Sequence, residues 1–243
     1  MPKINQHLIK TVWPDALALA HAAAHLIVNE SNKAVADKGY FSIALSGGST
    51  PKLLFELLAQ PPYRNNIPWK KTIIAFGDER FVAPNSDESN YKMAKDALLS
   101  IVPIPKKNIL VVPTVKVSTE ESAKQYQQML KPHINKNHPF DLVLLGIGEE
   151  GHTASVFPNS PLIDEPKAWV KNIWVEEKQM DRISFTIPFI NSARNVAFLV
   201  SGASKAAIVK LLFSKKGAAL PAAKVKNNGS LYWMLDEAAN GNA

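Results

Sequence analysis

Asp141-Leu-Val-Leu-Leu-Gly-Ile-Gly-Glu-Glu-Gly-His-Thr-Ala-Ser155 joins a short apolar run to a cluster of proton-handling groups. Leu142 to Leu145 read as a strand buried on both faces of a parallel sheet. Gly146, Gly148 and Gly151 then let the backbone turn and approach a ligand closely, while Glu149, Glu150 and His152 bring two carboxylates and an imidazole within four residues. In open α/β sheets the ligand crevice lies beyond the carboxyl ends of the strands, where this loop falls. A lone histidine is more often a cap or a surface group. Three glycines and two acids after a buried strand favour a site instead.

The same arrangement recurs upstream. Phe41 to Leu45 reads as a strand running into Ser46-Gly-Gly-Ser-Thr-Pro51, with Thr50 expected as N-cap and Pro51 as first residue of a helix that buries Leu53, Leu54, Leu57 and Leu58. Free N–H groups and the positive end of the helix dipole suit a phosphate, although a well-capped βα turn explains the hexapeptide equally well. It is neither a Walker A loop nor a GxGxxG fingerprint. Thr72 to Phe76 is a second buried strand, followed at once by Gly77-Asp-Glu-Arg80. Helices are expected over Pro14–Lys38, through Met93, Ala97 and Leu98 after Ser89-Asn90, and over Glu120–Leu130, with a strand at Ile109–Val112. This alternation predicts an α/β fold with a doubly wound, mostly parallel sheet. After His152 the pattern shifts to strands at Ala168–Val175, Arg182–Ile187, Asn195–Val200 and Leu231–Leu235, with a helix over Ala206–Phe213. No repeat or linker divides residues 1–243, so one domain is expected.

Composition sets the outer limits. The chain has 243 residues, 46% hydrophobic and 20% charged, which suits a soluble domain with a sizeable core. It has no cysteine, which removes disulfides, thiolate metal sites and a thiol nucleophile. His21 and His25 have the i, i+4 spacing of zinc ligands but no third ligand nearby in sequence, so they read as surface histidines, and no metal triad is expected. Met1 to Lys10 lacks a signal-like apolar run and no membrane-length segment follows, so residence in the cytoplasm and no membrane partner are expected. The net charge of +7 is uneven: Arg182 to Leu235 hold eight basic residues and no acid. Such a field steers anions, and Lys205 to Lys226, with Phe213 as their single aromatic, lack the alternation of a stacking platform, which favours an anionic metabolite over nucleic acid.

Parallel topology should bring the polar strand ends together: Ser46 to Thr50, Asp78 to Arg80, Glu149 to His152, and Lys205, with Arg182 heading a further strand. A basic set with a helix N-terminus suits a phosphate, and an imidazole between carboxylates suits proton transfer. No Gly-x-Ser-x-Gly nucleophile elbow exists. Acid–base work on a phosphorylated small molecule is the implied chemistry.

Ser46-Gly-Gly-Ser-Thr-Pro51, Gly77-Asp-Glu-Arg80 with Ser89-Asn-Tyr91, Gly146-Ile-Gly-Glu-Glu-Gly-His-Thr-Ala-Ser-Val-Phe-Pro158, Arg182-Ile-Ser-Phe-Thr-Ile-Pro188, Gly202-Ala-Ser-Lys205 and Leu220-Pro-Ala222 together resemble the 6-phosphogluconolactonases of the glucosamine-6-phosphate isomerase/6-phosphogluconolactonase family. The resemblance implies a sugar-phosphate isomerase/CoA-transferase-like fold with a smaller subsidiary lobe. It implies hydrolysis of 6-phospho-D-glucono-1,5-lactone to 6-phosphogluconate, a step of the oxidative pentose phosphate pathway, without metal or organic cofactor. Carried over, His152 would be the general base activating water, Glu150 its orienter, and Asp78 a group that shares the orienting. Gly47, Gly48, Ser49, Thr50, Arg182 and Lys205 would hold the 6-phosphate, and Arg80 would face the sugar or the oxyanion. Arg194 is read as structural or solvent-facing. The family usually carries Asp-Gly-His, where this chain has Glu150-Gly151-His152, one methylene longer. An amino-sugar-phosphate isomerase/deaminase is the nearest alternative, but there a carboxylate follows the histidine closely, and here no acid follows until Asp164. A non-catalytic sugar-phosphate sensor is the other alternative, although no helix-turn-helix fits before the first strand.

Overall fold

The computed structural model describes residues 7–227 and 229–241, so the N-terminal reading rests partly on residues outside that range. A six-stranded sheet in the order β1-β9-β8-β5-β2-β3 forms the centre, and every neighbouring pair is parallel. Its strands are β1 (His7–Trp13), β2 (Phe41–Leu45), β3 (Thr72–Phe76), β5 (Leu142–Leu145), β8 (Asn195–Val200) and β9 (Ser230–Asp236). β2, β3 and β5 are buried at every position, as continuous apolar runs require when helices cover both faces. A separate antiparallel sheet, β4-β7-β6, joins Asp78–Arg80, Met180–Phe185 and Val170–Val175, and forms the small subsidiary lobe.

Among the described residues eight α-helices accompany the strands: α1 (Ala16–Lys38), α2 (Ser49–Leu58), α3 (Tyr63–Asn66), α4 (Asn90–Ala94), α5 (Thr119–Leu130), α6 (Ile187–Asn191), α7 (Ala206–Leu212) and α8 (Glu237–Asn240). α1 starts because Asp15 accepts a hydrogen bond from Ala18 N at 2.7 Å, and stops because Gly39 adopts φ 88° and donates to Val35 O. Its small buried residues, Ala20, Ala23, Ala24 and Ala34, let it lie close to its neighbours. α4 runs on into a π-helical turn, Lys95–Leu99. No helix among the described residues is long and apolar enough to cross a membrane.

Two expectations are corrected, and one strand lies outside them. Ile109–Val112 is not a strand: Ile109 makes a single bridge to Ile74, because a 3₁₀ turn at Lys106–Asn108 and Pro113 bound the segment too tightly to extend it. The strand expected at Arg182–Ile187 runs instead from Met180 to Phe185, since Thr186 caps α6 and draws Ile187 into that helix. β1 was not foreseen. His7–Trp13 is an edge strand that becomes one only by pairing with β9, more than two hundred residues later.

Two devices position the strand ends. At the carboxyl end of β3, the Tyr126 hydroxyl of α5 accepts from Phe76 N at 2.7 Å and donates to Phe76 O at 3.0 Å, two residues before Asp78. Burial pushes the Tyr126 phenol well above its ordinary range, so it stays a donor. At the opposite edge, Asp141 is 2% exposed, accepts from the backbone and hydroxyl of Ser42, and meets Lys38 Nζ at 2.9 Å. This knot locks β2 to β5 below the site, and Arg194 is its part-exposed outer member, as expected of a structural residue. Removing one partner leaves a buried charge uncompensated. Asp141→Ala is therefore expected to lose roughly 3–5 kcal/mol of stability in urea unfolding; a loss of only a few tenths would mean Lys38 escapes to solvent.

Candidate active site

β2 separates two windings: the chain leaves it towards β3 on one side, and β5 joins on the other. The crevice at such a switch point is open between the loops that follow β2 and β5. A cleft of about 240 Å³ lies there, lined by Gly47, Gly48, Ser49, Thr50, Asp78, Arg80, His152, Arg182 and Lys205 among others. Each residue expected to act in catalysis or to hold the phosphate reaches its wall except Glu150, which touches His152 from the solvent side with its side chain 41% exposed.

The β2 loop differs from expectation at one point. α2 begins at Ser49, with Gly48 as N-cap at φ 109°, so Thr50 is the second helical residue and Pro51 the third. The left-handed backbone that only glycine adopts readily starts the helix two residues early. Gly48 has no side chain with which to cap, so the first N–H groups of α2 are left for an anion in the cleft. Gly47 is required for space: a Cβ there would lie 2.0 Å from Asn90 Oδ1.

β4 and β7 bring two arginines side by side. Their antiparallel register pairs Arg80 directly with Arg182 and Asp78 with Ser184. Like charges opposite one another destabilise a sheet, and the buried Nε atoms of both find no acceptor among the described residues. Arg182 is 8% exposed, and burial lowers its hold on its proton, with Asp78 at 3.8 Å opposing and Arg80 adding to the effect. Such a pair suits a ligand dianion. Asp78 does not touch His152. Its Oδ2 accepts from Ser155 Oγ at 2.6 Å, and its main-chain oxygen accepts from Asn90 Nδ2 at 3.0 Å.

Asn90 is held there by Glu79, a role the sequence reading missed. The Glu79 carboxylate is 3% exposed and accepts from Arg80 N, Ser89 Oγ, Asn90 N and Tyr91 N, fastening the start of α4 to β4. Burial pushes its carboxyl up and these donors pull it back, leaving it above the ordinary range. A buried acid in Asp-Glu-Arg followed ten residues later by Ser-Asn was the available signal. The Ser155 contact spans 77 residues, and nothing local announces it.

His152 stacks on Phe157, with ring centroids 4.1 Å apart, and its Nδ1 lies 3.1 Å from Glu150 Oε1. The angle is too poor for a well-aligned hydrogen bond, so the contact is chiefly electrostatic. Burial lowers the imidazole pKa below its ordinary value; Glu150 and Asp78 oppose this and Arg182 adds to it. The neutral form prevails near pH 7, with Nε2 the nitrogen not turned to Glu150. Glu150 itself stays below the usual carboxylate range: burial works against that, and its own backbone N–H and His152 outweigh it. Leu220-Pro-Ala222 braces the loop, Ala222 N donating to Gly151 O at 3.1 Å. Lys205 follows Gly202, whose N–H is held by Asp236 at 3.0 Å. Among the described residues no three His, Cys, Asp or Glu side chains converge as a metal-binding group.

A cleft of this charge should bind phosphate. Inorganic phosphate is expected to raise the thermal midpoint of the wild type and to raise that of Arg182→Met far less; equal shifts would place the anion elsewhere.

The chain is similar to known proteins along most of its length. The family described as glucosamine-6-phosphate isomerases/6-phosphogluconolactonase matches residues 14–233. A 6-phosphogluconolactonase from Nostoc sp. is 40% identical over 235 residues, covering 94% of this chain and 95% of that protein. A chloroplastic 6-phosphogluconolactonase of Arabidopsis thaliana is 39% identical over 221 residues, covering 86% of this chain and 67% of that one. The solved structure of 6-phosphogluconolactonase from Trypanosoma brucei superposes with a TM-score of 0.85 at 28% identity, over 96% of this chain and 98% of that chain. A monomeric glucosamine-6-phosphate deaminase, at 18% identity and a TM-score of 0.80 over 98% of this chain and 100% of its own, shares the fold alone. By this coverage and identity, the chain belongs to the glucosamine-6-phosphate isomerase/6-phosphogluconolactonase family.

Proposed function

We propose that this protein hydrolyses 6-phospho-D-glucono-1,5-lactone to 6-phospho-D-gluconate, with His152 as general base. The observation that carries the reading is a half-buried, neutral imidazole lining the same cleft as the facing pair Arg80 and Arg182. Arg182, Lys205, Ser49, Thr50 and the amide groups of α2 would hold the 6-phosphate. That anchor would set the lactone carbonyl near His152, converting attack by water into a step between pre-oriented groups.

In the reaction, His152 Nε2 takes a proton from water as its oxygen bonds to the lactone carbonyl carbon. The carbonyl oxygen becomes an oxyanion, which Arg80 would stabilise with its permanent charge. Collapse of that intermediate breaks the ring C–O bond, and the imidazolium returns its proton to the ring oxygen. The products are an open-chain hydroxyl and a carboxylic acid, which ionises. Glu150 steadies the imidazolium through its negative charge, although at 3.1 Å from Nδ1 it aligns poorly. The longer glutamate reaches from the solvent side of the ring, which is how this chain accommodates the departure from Asp-Gly-His.

The deaminase reading needs a carboxylate close after the histidine. That space is taken by Val156 and by the Phe157 ring stacked on His152. A pure sensor would have no use for the Glu150–His152 pair beside the phosphate cradle.

Since the neutral imidazole is the active form, kcat/KM should fall as pH drops through the His152 pKa. Burial places that acidic limb below the ordinary histidine value of about 6.5. Glu150→Gln removes a charge that favours the protonated ring, so the limb should move further down in pH while turnover falls. An unmoved limb would show that Glu150 does not act on His152. His152→Ala should lose catalysis, measured on fresh lactone with spontaneous hydrolysis subtracted, and near-normal turnover would remove it as the base.

Gly148→Ala tests placement rather than chemistry. Its Cβ would fall 2.1 Å from His152 Nδ1 and 2.6 Å from Glu150 Oε2, so the ring must shift. A fall in kcat of about 10²-fold is expected, with a nearly unchanged unfolding midpoint. Full activity would mean that the ring position is not critical.

A further inference from the structure

We propose that His21, His25 and Tyr63 form a binding site for one transition-metal ion of the zinc, copper(II) or nickel(II) class, where α1 meets α3. The two histidines lie one turn apart on the exposed face of α1, and the third ligand their spacing lacks in sequence arrives from a residue 38 positions on. His21 Nδ1 is 2.9 Å from the Tyr63 hydroxyl oxygen, and His25 Nε2 is 3.2 Å from the same oxygen. Both imidazoles therefore aim a nitrogen at one point.

Those distances match a coordination shell. Donors held at about 2.1 Å from an ion lie roughly 3.0 Å apart when cis in an octahedron and roughly 3.4 Å apart in a tetrahedron. An ion enters once the phenol proton leaves to solvent and the imidazole that donates to the phenol oxygen moves its N–H to the other ring nitrogen, with small ring rotations. Water would complete the shell, because both imidazoles are exposed. Tyr63 is 4% exposed overall, so α3 fixes its phenol, and the His25 ring meets it edge-on at 5.2 Å between centroids. That rigidity reduces the ordering cost of binding. Two imidazoles with one phenol oxygen favour copper(II), nickel(II) and zinc over calcium or magnesium. Neither α1 nor α3 contributes a residue to the catalytic cleft, so the site is separate from the proposed hydrolysis. A bound ion would clip α1 to α3, and so stabilise the folded chain.

The test uses the full chain without an affinity tag, titrated calorimetrically with copper(II), nickel(II) and zinc chloride in turn. One ion per chain is expected for at least copper(II), with a rise in thermal midpoint and unchanged lactone turnover. His21→Ala and His25→Ala, both at exposed positions, should each weaken binding by roughly 10–100-fold. Tyr63→Phe should weaken it less and remove the phenolate-to-copper(II) charge-transfer band seen in the wild type. No binding, or equal binding by the His21→Ala/His25→Ala double variant, would overturn the site. An unaltered titration and spectrum in Tyr63→Phe would overturn the three-donor arrangement. Circular dichroism of each variant separates lost ligation from lost fold.

Discussion

All six strands of the central sheet point the same way, and the site depends on that constraint. Parallel pairing puts the carboxyl ends of β2, β3, β5, β8 and β9 on one edge, so each of five loops delivers its polar residues to the same side. The reversal of winding at β2 then parts the loops after β2 and β5 and leaves a crevice between them. Gly47 and Gly48 form one lip, and Gly146, Ile147 and Gly148 the other. Without the sheet these groups would be scattered over some 160 residues of chain.

The cleft is a place of local conflict supported by order elsewhere. Arg80 faces Arg182, their buried Nε atoms lack acceptors among the described residues, and a histidine is partly withdrawn from water. Each of these costs stability, and each becomes favourable when an anion or a proton arrives. The supports are buried polar contacts: four donors on Glu79, the two-way bond between Tyr126 and Phe76, and the Asp141 knot at the far end of the strands. Rigid neighbours keep the arginines together despite their repulsion, so the proposed anion site is organised in advance.

Much of the fold could be read locally because buried parallel strands are continuous apolar runs ended by glycine. β2, β3 and β5 fall where such runs do, and α1 and α5 within two residues of expectation. The readings that failed depended on distant partners or on backbone angles. β1 alternates like a surface strand and is recruited by β9, whereas Ile109–Val112 has the composition of a strand but lacks room to pair. The start of α2 was misplaced because Thr50 looked like the cap, while a positive φ at Gly48 turns the chain into the helix earlier and leaves its first N–H groups uncapped.

The candidate site was legible in pieces for a related reason. Residue types reveal chemistry, so Ser46 to Thr50, Asp78 to Arg80, Glu150 to His152, Arg182 and Lys205 could be picked out one cluster at a time. By itself the sequence determined the strand-then-loop order, the groups at each strand end and the family resemblance, because these rest on short-range pattern and side-chain chemistry. Only the tertiary structure decided that Arg80 lies opposite Arg182, that Asp78 turns to Ser155 and Asn90 rather than to His152, and that Tyr63 sits between His21 and His25. Those outcomes follow from strand register and helix docking, where one residue of slip exchanges every partner.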